Sequence, residues 1–153
     1  MPHQLRKAKV ADVPAIQRLI NQFADRGEML PRSLNEIYEN LRDFVVIENE
    51  TGIIACAACH INWEDLAEVK ALAVEESHQG QGLGSRLLDE CLEEARELGI
   101  GTLFVLTYRP DFFEKRGFRK VEKGSLPHKV WAECIRCSKF PDCGEIALVR
   151  EMG

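Results

Sequence analysis

The sequence predicts an α/β domain with a mixed sheet covered by helices on both faces. Three observations carry that prediction. Short apolar runs alternate with amphipathic helical stretches along the whole chain. The longest helical stretch lies between two of those runs and is entered through a glycine-rich segment. No repeat, low-complexity tract or linker interrupts the 153 residues, so a single domain over 1–153 is expected.

Taken in order, residues 4–10 read as a first strand. Asp12 and Pro14 open an amphipathic helix that carries Val13, Ile16, Leu19, Ile20 and Phe23 on one side and ends near Gly27. Ser33 starts a second helix, with Glu36 as its capping-box partner, that runs to about Leu41. Two apolar runs, 44–48 and 53–61, flank Asn49-Glu50-Thr51-Gly52, a hairpin signal. Another strand covers 67–74. From Gly82 to Leu98 the stripe Leu83, Leu87, Leu88, Cys91, Leu92, Ala95 and Leu98 marks the major helix, which Gly99 stops. A strand over 102–107, a short helix over 111–116 closed by Gly117, and strands over 118–122 and 145–150 complete the chain.

Lys plus Arg number 20 against 25 Asp plus Glu, a formal charge of −5. With no basic stripe or tail, nucleic acid is not an expected partner. Nor does the chain steer anions from a distance, so any anion site must be built locally. No stretch approaches the ~20 apolar residues that cross a bilayer, and no apolar signal segment follows Met1-Pro2-His3-Gln4. The expected location is the cytoplasm, away from membranes.

Gln79-Gly80-Gln81-Gly82-Leu83-Gly84 lies directly after a strand and directly before the major helix. Glycines there let the backbone turn tightly and offer successive N–H groups to an anion, and the helix adds its positive end. The segment suits a pyrophosphate. It is not a Walker A loop, because no Lys-Ser or Lys-Thr follows the last glycine. A dinucleotide fingerprint is also disfavoured, since Glu94 and Glu97 fall within the helix rather than after a second strand.

Strand Ala71-Leu72-Ala73-Val74 followed by Gln79-x-x-Gly82-x-Gly84 resembles the acetyl-coenzyme A loop of the GNAT superfamily of N-acetyltransferases. Asp111-Phe112-Phe113-Glu114-Lys115-Arg116-Gly117-Phe118 resembles its second landmark, a short helix ending in Gly-Phe. Within the superfamily, residues 26–33, Leu106-Thr107-Tyr108-Arg109 and Arg136-Cys137-Ser138-Lys139 are similar to the acetyltransferase domain of the N-acetylglutamate synthases. The chain looks like a short form without the amino-acid-kinase domain of longer bacterial relatives, which puts their arginine feedback in question here.

The resemblance implies a mixed, mostly antiparallel sheet with splayed central strands, and acetyl-coenzyme A as cosubstrate. The cofactor would lie along Leu72, Ala73 and Val74 and beside Phe113, with its pyrophosphate on the amides of Gln79, Gly80, Gln81, Gly82, Leu83 and Gly84. Glu68 aligns with the strand glutamate that acts as general base in relatives, and the backbone N–H of Leu72 with the donor to the thioester oxygen. Simple alternation puts Glu68, Lys70, Leu72 and Val74 on one face. At ~3.3 Å per residue, Glu68 and Leu72 then stand about 13 Å apart, which favours a water relay over direct contact. Lys70 is a rival partner that would make Glu68 a poorer base. Phe113 occupies the place of the tyrosine that many relatives use as general acid, leaving Tyr108 as the alternative.

An arginine fork matches a carboxylate bidentately. By resemblance Arg32 meets the α-carboxylate of the acceptor, and Arg136 with Ser138 its side-chain carboxylate. Arg109 supplies field near the strand end or caps the next helix. The implied reaction is acetylation of the α-amine of L-glutamate, a step of arginine biosynthesis. Another small amine, a protein N-terminus, or a non-catalytic coenzyme A sensor are the alternatives, and a homodimer is left open.

The six cysteines are few for a secreted disulfide scaffold. Cys56 and Cys59 sit three apart in a strand and so point to opposite faces, a poor metal clamp. Cys134-x-x-Cys137 with Cys143 and His128 is a zinc-like spacing, but no second C-x₂-C matches it, and no metal is assigned.

Overall fold

The computed structural model describes residues 3–29, 31–126 and 145–152. Its strands are β1 (Gln4–Lys7), β2 (Phe44–Asn49), β3 (Gly52–Trp63), β4 (Leu66–Val74), β5 (Thr102–Thr107), β6 (Arg119–Val121) and β7 (Ile146–Glu151). Its α-helices are α1 (Val13–Ala24), α2 (Leu34–Glu39), α3 (Leu83–Leu98) and α4 (Pro110–Glu114). The seven strands form one sheet in the order β1-β2-β3-β4-β5-β7-β6. Among the described residues β4 and β5 run parallel and every other neighbouring pair antiparallel.

Local chemistry explains most boundaries. Ser33 and Glu36 form the expected capping box, each side chain meeting the other's backbone N–H at 3.1 and 3.3 Å. Glu50 and Thr51 close the β2–β3 hairpin, and Asn49 accepts from the Thr51 amide at 2.8 Å. The first strand stops at Lys7, short of the expected residue 10, because 10–12 form a 3₁₀ turn. Asp12 does not cap α1 with its side chain. It accepts instead from the Lys9 amide at 2.7 Å and from both terminal nitrogens of Arg6 at 2.8 and 3.0 Å. Arg6 also reaches Glu48 on β2 at 2.8 Å, so one guanidinium ties the first turn to the sheet. Its hydrogen bonds hold the Asp12 and Glu48 carboxyls below the usual range, and their charges push its own proton affinity up.

Two apolar layers cover the sheet. On one face α3 packs Leu87, Leu88 and Cys91 against Val45, Ala57, Cys59 and Val69. On the other α1 packs Ile16, Leu19 and Ile20 against Val46, Cys56 and Ala58. Cys56 and Cys59 thus lie in separate layers, as strand alternation requires. Burial pushes both thiols up to about 12.

The alternation expected for β4 fails at one point. Cys56 faces Ala73 while Ala58 faces Lys70, so two steps along β3 match three along β4. The extra residue forms a bulge at Ala71, whose φ is +56. Beyond it the faces exchange. Ala67 and Val69 lie on the α3 side, but so do Leu72 and Val74, whereas Ala71 and Ala73 join the α1 side. Glu68 and Lys70 therefore do not share a face with Leu72 and Val74. A one-residue insertion inverts every later side chain, and only the pairing with β3 reveals it.

Candidate functional site

The bulge sits where the sheet opens. The ladder between β4 and β5 runs through Leu66–Thr102, Ala67–Leu103 and Glu68–Phe104, although the strands continue to Val74 and Thr107. Past Glu68 they part, and a groove of about 1250 Å³ fills the gap. Its walls are the second half of β4, the end of β5, the glycine segment, the loop after α1 and the start of α4.

The glycine segment is one of these walls. Gly80 and Gly82 have φ of +83 and +79, a left-handed conformation that side chains disfavour, and a Cβ at either would meet no protein atom within 4 Å. Gly82 precedes α3 with no side-chain hydrogen bond capping the helix, and Gly82, Leu83, Gly84 and Ser85 line the groove. A Cβ at Gly84 would stand only 3.4 Å from the Phe112 ring. An open space beside an uncapped helix start is a place where an anion can be received.

Glu68, buried in the sheet, also lines the groove with Lys70 and Arg32, and Arg109 lines it just past the end of β5. Arg32 is held at the start of α2, with its amide donating to Asn21 at 3.3 Å and its side chain 3.8 Å from Glu36. Arg109 precedes α4 but does not cap it with its side chain. Its guanidinium instead faces Glu28 of the loop after α1, at 3.6 Å. Arg26 in that loop pairs with Glu76 beyond β4, so the loop is tied to both sides of the opening.

The groove collects Glu68, Leu72, Ala73, Val74, Gln79, Gly80, Gly82, Leu83, Gly84, Tyr108, Phe113, Arg32 and Arg109. Gln81 is not among its lining; its side chain meets His3 at 3.1 Å. Phe113 touches the groove, but its ring is buried and stacked edge-on against Phe112 and Phe118. Arg136, Ser138, Cys134, Cys137, Cys143 and His128 lie outside the described residues. Sequence reasoning missed Glu28, Met29, His78 and Phe112 as groove residues. Three of them fall within the two segments that carry the family resemblance, and that was the available signal. His78 offered none, because a 3₁₀ turn after β4 brings it in.

Comparison with known proteins agrees with this geometry. A model of the acetyltransferase (GNAT) family matches residues 13–118. An uncharacterised N-acetyltransferase of Chlorobaculum tepidum is 36% identical, covering 97% of this chain and 96% of that protein. An amino-acid acetyltransferase of Mycobacterium tuberculosis is 33% identical over 86% of this chain and 77% of its own length. Among solved structures, N-acetylglutamate synthase of Neisseria gonorrhoeae complexed with coenzyme A and N-acetyl-glutamate superposes with a TM-score of 0.89 at 28% identity. It matches all of this chain, which spans 36% of that protein.

Proposed function

The chain belongs to the acetyltransferase (GNAT) family, and from that premise we propose that it transfers the acetyl group of acetyl-coenzyme A to the α-amine of L-glutamate. It is an N-acetyltransferase with acetyl-coenzyme A as its cosubstrate, and the residues present fit that molecule. The glycine cradle leaves room for phosphates, and the parted strands leave room for an extended chain between them. When bound, acetyl-coenzyme A supplies an activated acyl group. The chain itself must orient an amine, remove its proton and stabilise charge on the thioester oxygen.

The observation that supports this reading is that Glu68, Arg32 and the glycine segment line one groove. Glu68 takes the proton that the acceptor ammonium must lose before it can attack. The Leu72 amide, beside the bulge, donates to the thioester oxygen as charge develops. Tyr108, exposed just past β5 and part of the groove lining, protonates the departing thiolate. Arg32 pairs with the α-carboxylate, and Arg109 adds positive field at the groove mouth. Arg136 and Ser138 complete the set by reading the side-chain carboxylate. The full chain is proposed to be one acetyltransferase domain that works in the cytoplasm in arginine biosynthesis.

A thiol-release assay over a panel of amino acids tests the assignment. L-Glutamate is expected to turn over fastest, and Arg32→Ala to lower kcat/KM for every α-amino acid by about 10- to 100-fold, the worth of one or two charge-assisted hydrogen bonds. Glu68→Gln is expected to lose turnover while keeping cofactor affinity. Brisk turnover of another amine with none of glutamate would overturn the acceptor and leave the acetyltransferase intact.

A further inference from the structure

Directly across the ladder from Glu68 lies His60, its register partner on β3. Residues paired in this way share a face, with Cβ atoms about 4.5–5.5 Å apart. The imidazole Nδ1 of His60 is 2.7 Å from Oδ2 of Asp43, in the 3₁₀ turn that leads into β2. Together with Arg32, Glu36, Lys70 and Ala71 they line a small cavity of about 30 Å³. Arg32, Lys70 and Ala71 line the main groove as well, so the two spaces adjoin through the β4 bulge. Glu68 is buried, whereas His60 and Asp43 are partly exposed.

We propose that the Asp43–His60 pair is the proton outlet of the groove: it receives, from Glu68, the proton removed from the acceptor amine and releases it to solvent on the α2 side. This rests on Glu68 acting as the base. A buried carboxylate that has taken a proton must shed it before the next turnover. With the Asp43 carboxylate accepting at Nδ1, Nε2 is the ring nitrogen left to take up a proton. The balance is simple. The ammonium loses one proton to the Glu68 carboxylate, His60 Nε2 takes it directly or through one water, and the imidazolium beside Asp43 gives it to bulk water. The charged and titratable groups facing His60 are Asp43 before β2, Glu68 and Lys70 on β4, and Arg32 with Glu36 at α2. Among them Asp43 stands in contact to stabilise the imidazolium.

The test is steady-state kinetics of His60→Gln and Asp43→Asn, each verified as folded by circular dichroism, across pH and in light and heavy water. His60→Gln is expected to lower kcat about tenfold, to raise the solvent isotope effect on kcat and to alter the pH profile, with KM for acetyl-coenzyme A unchanged. Asp43→Asn is expected to move the same readouts in the same direction, less far. A purely structural role would change thermal stability without touching the isotope effect. A wild-type pH profile and isotope effect in either folded variant overturns the outlet. Full activity in Glu68→Gln would instead overturn the base beneath it, so the two failures are distinguishable.

Discussion

Arg109 and Glu28 face each other at 3.6 Å across the groove mouth, joining the end of β5 to the loop after α1. Both are substantially exposed, so the pair adds little to stability. On the proposed function its effect is expected in binding, because the Glu28 carboxylate engages the guanidinium proposed to meet an anionic acceptor. Glu28→Gln is expected to lower the KM for an anionic amino-acid acceptor, and Arg109→Gln to raise it about three- to tenfold, the scale of one exposed or half-exposed charge contact. Neither is expected to move the melting temperature by more than a degree or two. Initial rates against acceptor concentration, with thermal melts alongside, provide the check.

The glycine cradle is tested best at Gly82, where φ is +79 and a Cβ meets no protein atom within 4 Å. Alanine there strains the backbone by about 1–2 kcal/mol, whereas asparagine tolerates the left-handed region. Gly82→Ala is expected to lose both stability and acetyl-coenzyme A affinity. Gly82→Asn is expected to keep the stability and still lose affinity, because its side chain stands where phosphates approach. Calorimetric titration with acetyl-coenzyme A reads the affinity. Wild-type affinity in folded Gly82→Asn would move the phosphates elsewhere.

Acid stability is expected to depend on Asp12. The Arg6 hydrogen bonds hold its folded carboxyl below the usual value, so the unfolded chain takes up a proton first as pH falls. The stabilisation is fully present above the unfolded carboxyl value of about 4 and is lost as pH drops through the folded value. Asp12→Asn is expected to cost about 1.5–3 kcal/mol at pH 7 and to flatten the fall in stability below pH 4. Urea melts of both proteins from pH 7 to pH 3 measure the difference.

Several features of this molecule were legible residue by residue. The capping box of Ser33 and Glu36, the hairpin at Asn49–Gly52 and the leucine stripe of α3 each follow from neighbours a few positions apart. Because such interactions are local, their spacing in the chain already contains their geometry. The same holds for Gln79–Gly84, whose glycines and following helix define a cradle whatever the rest of the fold does.

By itself, then, the sequence determined the element types, the glycine turn ahead of α3 and the family resemblance. Only the tertiary structure decided which way the β4 side chains point beyond Ala71, where β4 and β5 part, and that Glu68 lies opposite His60. The reason is physical. A bulge is a mismatch in step count between two strands, and a splay is the end of a ladder between two others. Neither property belongs to one strand, so neither is written in the residues of β4 alone.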